Sequence, residues 1–203
     1  TFEESGADPW DLSDDQRDFL TNDNLRHVLV TSVESPEVAA KWSNNVQALV
    51  EGIGLGIPAN NSSDPRHRSS ANAEFNEGAG GDISMWPSSL GMAATFDPDL
   101  ELKFGDIASK EYRALGISTA LSPQIDLATE PRWPRISGTF GEDAKISARL
   151  VKAYIEGFQG PELGPNSVAC MTKHFPGGGP QKEGLDPHFE FQEGQIYPGD
   201  HFD

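Results

Sequence analysis

The chain has 203 residues, and its 15 Lys and Arg against 32 Asp and Glu give a formal net charge of −17 at pH 7. A protein this acidic repels phosphate backbones and anionic headgroups, so we expect neither nucleic acid nor a membrane as a partner. No run approaches the roughly 18 apolar residues of a membrane-spanning helix, and the single Cys excludes a disulfide framework. The acidity is typical either of a well-hydrated surface or of adaptation to high salt, which screens the repulsion between carboxylates.

The predicted elements alternate between short strands and amphipathic helices. Residues 1–20 are polar and are read as a loop or a short helix, and the folded domain is expected over residues 21–203. Ser35-Pro36 and Asp97-Pro98 are typical helix starts, because each places an N-cap before a proline in the first turn. Gly52, Gly116 and Gly160 are placed to end the three predicted helices. Strands are predicted over residues 27–31 (buried), from Ile57 into residues 60–64, and over residues 117–121 and 168–172.

Strands that alternate with helices predict an α/β fold with a parallel sheet and helical crossovers. Two architectures fit this order, an open sheet and a closed (β/α)8 barrel. A complete barrel takes about 250 residues, whereas this chain has four predicted strands and no predicted helix after the last one. We therefore expect a partial (β/α)8 TIM-type barrel that is truncated at its C-terminal end.

Charged side chains follow directly after the predicted strands. The carboxyl ends of parallel strands open onto one face, where active sites are built. Structural roles are the alternative: Asp64 would cap a turn before Pro65, and the arginines would form ion pairs with acidic neighbours such as Glu130. Lys173 favours a functional role, because a lysine that abuts an apolar strand end needs a partner. The candidates are Asp64 after the second strand, Asp126, Arg132 and Arg135 after the third, and Lys173-His174 after the fourth.

The glycine run at residues 177–179 is not a phosphate-binding loop, because Pro180-Gln181 follows it where that motif requires Gly-Lys-Ser/Thr. Together with the net charge, this disfavours a phosphate-handling barrel enzyme. We expect the glycines to let the backbone pass close to a ligand or to a neighbouring loop. His174, His188 and Asp186 show no His-x-x-x-His pairing, so no metal and no cofactor is expected.

Four segments, in chain order, resemble motifs of glycoside hydrolase family 3. Glu130 and Pro134 depart from the Asp and Gly that the family has at these positions. The segments are Ile57-Pro58 with Asp64, Trp86-Pro87 with Gly91, Glu130-Pro131-Arg132-Trp133-Pro134-Arg135 with Thr139-Phe140-Gly141-Glu142-Asp143, and Lys173-His174-Phe175-Pro176-Gly177.

This resemblance implies a barrel that cleaves β-linked sugars from non-reducing ends with retention, as β-glucosidases and exo-glucanases do. The alternatives are a β-N-acetylglucosaminidase or β-xylosidase of the same family, or a non-catalytic sugar-binding fragment. The implied partners are a β-linked oligosaccharide or an aryl or alkyl β-glycoside, the remainder of the barrel, and a C-terminal α/β domain. A secreted or periplasmic location is favoured. The residues implied to bind the sugar in the −1 subsite are Asp64, Arg132, Lys173 and His174.

In that family the nucleophilic Asp lies on a later strand, so we expect no catalytic residue within residues 1–203 and no turnover from them alone. One candidate pair remains. Asp186-Pro187-His188 resembles the Asp-x-His pair whose His is the acid/base of β-N-acetylglucosaminidases in the family, although it stands two residues later than in that branch. The alternative is a loop whose aromatic residues, Phe189, Phe191 and Tyr197, line the sugar pocket.

Overall fold

The fold is built on a four-stranded parallel sheet, seen in a computed structural model that describes residues 8–68, 82–175, 177–197 and 199. The strands lie side by side in chain order, and each pair is joined by a crossover that contains at least one helix. A parallel sheet that grows in one direction through helical crossovers is the wall of a (β/α)8 barrel, so the predicted fold class is confirmed. The strands are β1 His27–Leu29, β2 Asn60–Ser63, β3 Thr119–Ala120 and β4 Ala169–Cys170.

Two helices begin at their predicted caps, and three end at or next to the predicted glycines, whereas the short helix Ser89–Ala93 was not predicted. The Ser35 hydroxyl accepts the Val38 N–H, the Asp97 carboxylate accepts the N–H groups of the first turn that follows it, and Gly160 ends the last helix at φ +78°. The polar first segment contains a helix with a capping box between Ser13 and Gln16. No helix within the described ranges is long and apolar enough to cross a membrane. The helices are α1 Asp14–Thr21, α2 Pro36–Glu51, α3 Ser89–Ala93, α4 Pro98–Ala114 and α5 Ala144–Gln159.

The main core lies where α4 and α5 cross over the sheet. Tyr112 of α4 meets Phe158 of α5 edge-to-face, with 6.0 Å between ring centroids. Gly105 and Gly157 allow the two backbones to touch, because a Cβ at Gly105 would lie 2.9 Å from the Gly157 Cα. Such close packing fixes the helices relative to the sheet and thereby the loops that follow the strands.

The strands are shorter and more polar than predicted. β1 is an edge strand in the described structure, with Leu29 half exposed, so the prediction of a buried first strand is wrong. β2 begins at Asn60 rather than at Ile57, which is exposed. Asn61 is nevertheless buried, because its side-chain amide donates to the Ser43 hydroxyl (3.0 Å) and to the Gly116 carbonyl (3.2 Å). Paired polar side chains can fill a sheet interior, and apolar patterning does not reveal them.

Residues 69–81, which include the glycines Gly78, Gly80 and Gly81, lie outside the described residues, as do residues 1–7, Pro176, Pro198 and residues 200–203.

Candidate active site

A cavity of about 480 Å³ opens at the carboxyl ends of β2, β3 and β4. Asp64 follows β2 directly, Ser122 follows β3, and Lys173 follows β4, and all three line it. The strands thus bring together side chains that are 109 positions apart in the chain. The other polar residues that line the cavity are Arg68, Ser89, Gln124, Arg135, Ser137, Tyr154, Asp186 and His188.

Asp64 and Lys173 form an ion pair inside this cavity. The Lys173 Nζ donates to the Asp64 Oδ1 at 2.5 Å, and both side chains are about one quarter exposed, at 22% and 26%. The backbone of Asp64 is held from behind by α4, because the buried Tyr112 hydroxyl donates to its carbonyl at 2.7 Å and accepts the Arg66 N–H at 3.1 Å. Burial raises the pKa of Tyr112, so this hydroxyl keeps its proton. The partner that Lys173 was expected to need is therefore Asp64.

His174 contacts the buried Asp126 rather than the cavity. Its Nδ1 lies 2.8 Å from the Asp126 Oδ2, and the Gly178 N–H donates to the other carboxylate oxygen at 2.5 Å. Burial alone would raise the pKa of Asp126, but the hydrogen bond and charge of His174 and the N–H of Gly178 outweigh burial and lower it. Asp126 is thus a carboxylate that ties the end of β4 to the glycine run.

The glycine run passes a neighbouring loop at very short distance. A Cβ at Gly179 would lie 1.8 Å from the Leu127 carbonyl oxygen, and one at Gly178 would lie 3.0 Å from the Asp126 Oδ1. Of the two explanations that the sequence leaves open, the described contacts support close passage of a loop. At Gly179, therefore, no residue with a Cβ fits without a shift of the backbone.

Arg132, which the family resemblance implies at the sugar, does not line the cavity. Its side chain is 64% exposed, and its Nε and Nη2 donate to the two carboxylate oxygens of Glu130, each at 2.9 Å. The hydrogen bonds from Arg132 lower the pKa of Glu130 to about 2, so the pair stays charged. Arg135, on the 3-10 helix Pro134–Gly138, lines the cavity instead. Both arginines flank Trp133 in one loop, so the sequence does not distinguish them; the turn after Trp133 places only Arg135 at the cavity.

Asp186 and His188 form a hydrogen-bonded pair at the cavity wall. The His188 Nδ1 lies 2.5 Å from the Asp186 Oδ1, and the Trp133 indole N–H donates to the Asp186 Oδ2 at 2.7 Å. Burial would raise the pKa of Asp186, but the hydrogen bonds from His188 and Trp133 and the charge of Arg135 lower it. Because Asp186 holds Nδ1, proton exchange with a ligand would use the other ring nitrogen, Nε2.

Sequence reasoning missed three contributors to this site. Trp133 is buried and holds Asp186, a contact across 53 positions that no local pattern indicates. Arg68 and Gln124 line the cavity next to Gly138, where a Cβ would lie 2.5 Å from the Gln124 Oε1 and 3.1 Å from the Arg68 Nη2. Burial lowers the pKa of Arg68 below the ordinary value. Arg68 and Gln124 could have been found from the sequence, because they stand shortly after β2 and β3, where residues of the cavity are expected.

The arrangement suits a neutral ligand that carries many hydroxyl groups. Carboxylates accept hydrogen bonds from hydroxyls, and the ammonium and guanidinium groups of Lys173, Arg68 and Arg135 donate to them. Within the described ranges, no group of three or more His, Cys, Asp or Glu side chains is arranged to hold a metal ion.

Known proteins resemble the chain over most of its length. It is 45% identical to the probable beta-glucosidase C of Aspergillus flavus over 184 residues, which is 91% of this chain and 28% of that protein. It is also 45% identical to the periplasmic beta-glucosidase/beta-xylosidase of Dickeya chrysanthemi over 159 residues. The match covers 77% of this chain and 24% of that protein. A glycoside hydrolase family 3 beta-N-acetylglucosaminidase from Paenibacillus sp. superposes with a TM-score of 0.71 at 28% identity, over 88% of this chain and 32% of that one.

The chain spans about a quarter of the length of these two curated relatives. The family model described as the glycosyl hydrolase family 3 N terminal domain matches residues 7–196. Since this match covers nearly all of the fold and the whole cavity, the chain belongs to glycoside hydrolase family 3.

Proposed function

We propose that the protein containing this chain hydrolyses β-linked glycosides as a retaining, exo-acting β-glucosidase or exo-glucanase, and that this chain supplies its −1 subsite. The names of the Aspergillus flavus and Dickeya chrysanthemi relatives support the β-glycosidase class. The observation that carries the subsite assignment is the Asp64–Lys173 pair, 2.5 Å apart in a cavity of about 480 Å³.

In this proposal the cavity binds the non-reducing sugar through charge-assisted hydrogen bonds. Asp64 accepts from hydroxyl groups, and Lys173 and Arg135 donate to them. Such bonds can strengthen as the ring flattens towards the oxocarbenium-like transition state. Arg135 takes the place that the family resemblance implied for Arg132. His174 acts through Asp126, by fixing the backbone that carries Lys173 and the glycine run.

Retention requires two carboxyl groups about 5 Å apart, one of them the nucleophile. We expect the nucleophile in a further part of the protein, since the relatives are more than three times as long as the matched region. The rest of the barrel would then complete the site around the bound β-glycoside.

The test is hydrolysis of 4-nitrophenyl β-glycosides by the full-length protein and its Asp64→Asn variant. The variant removes a charged hydrogen-bond partner worth about 10- to 100-fold in kcat/KM. Asp106→Asn is a matched control, because it breaks the 2.7 Å ion pair with Lys110 on the exposed surface of α4. Release of nitrophenol that falls only in the Asp64 variant supports the proposal, whereas no hydrolysis of any β-glycoside, or equal rates in both variants, contradicts it.

A second candidate is a β-N-acetylglucosaminidase, because the Asp186–His188 pair is formed and lines the cavity. If His188 is the acid/base, His188→Ala should lower kcat by about 100- to 10,000-fold and remove one limb of the pH–rate profile. The comparison is made on aryl β-glucosides and aryl β-N-acetylglucosaminides with the full-length protein. An almost unchanged rate on both would exclude the catalytic pair.

A further inference from the structure

Two phenylalanines form a stacked pair at the rim of the cavity. The rings of Phe189 and Phe191 are nearly parallel, with an interplanar angle of 5° and 5.2 Å between centroids. Phe189 lines the same cavity as Asp64 and Lys173, and it follows His188 directly. We propose that this pair binds the leaving group of a β-glycoside, with a preference for planar aromatic leaving groups; the inference rests on the proposed function and specifies its substrate class.

Exposure increases from the polar end of the cavity towards the pair. The side chains of Lys173 and Asp64 are 22% and 26% exposed, whereas the side chain of His188, directly before Phe189, is 53% exposed. Asp64 and Lys173 follow β2 and β4, whereas the phenylalanines belong to the loop that follows the Asp186–His188 pair at the cavity wall. A sugar bound to Asp64 and Lys173 would therefore direct its leaving group outwards, past His188 and towards the two rings.

The loop that carries the pair is tied together by its own hydrogen bonds. The Phe189 N–H donates to the Asp186 carbonyl and the Gln192 N–H to the Phe189 carbonyl, each at 3.1 Å. At the base of the loop, the buried Gln181 pairs with Gln195 in an antiparallel bridge. A surface that is already ordered loses little entropy when a ligand binds.

The chemistry of the pair suits a flat apolar group. Phenyl rings have no hydrogen-bonding atoms, so they contribute nothing to the recognition of hydroxyls. They favour offset-stacked or edge-to-face contact with another ring, and the benefit exceeds that of buried area alone. The charged end and the aromatic end of the cavity therefore recognise different halves of one molecule, the sugar and its aglycone.

The experiment compares two inhibitors of the full-length protein that differ only in the aglycone. They are the phenyl and methyl 1-thio-β-glycosides of whichever sugar the wild-type protein releases from its nitrophenyl glycoside. Phe189→Ala and Phe191→Ala should each raise the inhibition constant of the phenyl compound relative to the methyl compound by about 3- to 10-fold. Phe191→Leu keeps the apolar volume without the ring, so it should raise the ratio while leaving the melting temperature unchanged.

Phe19→Ala is the matched control, since Phe19 is 51% exposed on α1 and does not line the cavity. It should leave the ratio of the two inhibition constants unchanged. An unchanged ratio in the Phe189 and Phe191 variants overturns the inference while leaving hydrolysis intact. An equal rise in the inhibition constants of both compounds also overturns it. The pair would then act on the sugar site as a whole, by positioning His188 or by packing against the rest of the protein, and not on the aglycone. Failure of the proposed function is a different result, namely a wild-type protein that neither hydrolyses a β-glycoside nor binds either inhibitor.

Discussion

The contact between α4 and α5 is made of aromatic rings and glycines, whereas the loops beyond the strands are held by hydrogen-bonded pairs of titratable side chains. In the helical layer, Tyr112 and Phe158 pack at 6.0 Å and two glycines let the backbones touch. In the loop layer, Asp64–Lys173, Asp126–His174 and Asp186–His188 are each 2.5 to 2.8 Å apart. Packing of the first kind is independent of pH and gives stability. Of the second kind, Asp64–Lys173 and Asp186–His188 line the cavity, where a ligand can meet them, whereas Asp126–His174 fixes the loop behind it.

Glu101, in the first turn of α4, is an exception to this division, because it is a carboxyl group buried in the helical layer. It carries the largest effect that we expect. It is 1% exposed, its Oε2 has no hydrogen-bond partner in the described structure, and burial raises its pKa to about 7. Because the folded protein binds this proton more tightly than the unfolded chain, protonation stabilises the fold fully below pH 4.5, the ordinary value. That contribution, about 3 kcal/mol, is lost as the pH rises through about 7.

Glu101→Gln should remove this dependence. Thermal unfolding of the protein at pH 5 and pH 8 should show a smaller difference in melting temperature for the variant, which should be more stable than the wild type at pH 8. Glu37→Gln, on the exposed start of α2, is the control and should retain the wild-type difference. Equal pH dependence in Glu101→Gln and the wild type would contradict the prediction.

The next effect separates two arginines of the loop layer. Arg135→Ala should lower kcat/KM of the full-length protein for a β-glycoside by about 10- to 100-fold, since a charged donor inside the cavity is lost. Arg132→Ala removes an exposed guanidinium paired with Glu130 and should change kcat/KM less than twofold. Steady-state kinetics of both variants decides, and a larger loss for Arg132 would reverse the assignment made here.

A third change should lower the stability of the helical layer without changing ligand binding by the loop layer. A Cβ at Gly157 would lie 2.6 Å from the Leu102 carbonyl oxygen, so Gly157→Ala forces α4 and α5 apart at a cost of about 2 kcal/mol. Denaturant unfolding measures this loss, and the inhibition constant of a sugar ligand should stay constant at temperatures where the variant is folded. At Gly164 nothing lies within 4 Å of the added Cβ, so Gly164→Ala should be neutral.

The smallest effect concerns the indole that holds Asp186. Trp133→Phe replaces the indole with a smaller aromatic ring and loses the N–H that donates at 2.7 Å, a hydrogen bond worth about 1 kcal/mol. The pKa of Asp186 should rise towards its ordinary value, which a shift of the acidic limb of the pH–rate profile would reveal. Trp86→Phe loses a donor to the Ser84 hydroxyl at 2.9 Å instead, and should leave that limb in place.

The helices could be predicted from sequence because their signals are local. Ser35-Pro36 and Asp97-Pro98 act within one turn of the residues they cap. For the strands, the sequence predicts their order but not where each begins and ends. The buried Asn61 of β2 depends on partners in α2 and in the turn at Gly116. Buried polar strands look like loops in a sequence, since their partners are remote.

The candidate site was predictable in part for the same reason. Asp64 follows β2 directly and Lys173 comes three residues after β4, and parallel topology brings such positions together. Which of Arg132 and Arg135 enters the cavity depends on the direction of a short 3-10 helix, which composition does not encode. The Trp133–Asp186 contact and the stacking of Phe189 on Phe191 likewise depend on how distant loops fold over one another.

The two outer strands of the sheet also bear on how this polypeptide behaves when it is produced by itself. β1 and β4 have no neighbouring strand on their outer sides within the described residues, although the Cys170 N–H of β4 donates to the Gln159 side chain at 3.0 Å. Leu29 and Met171 are 50% and 55% exposed beside these edges. Open edges flanked by apolar side chains recruit further chains by edge-to-edge pairing. Expression of residues 1–203 alone should therefore yield soluble oligomers or inclusion bodies, and a Lys at position 29 should shift the elution volume on gel filtration towards the monomer.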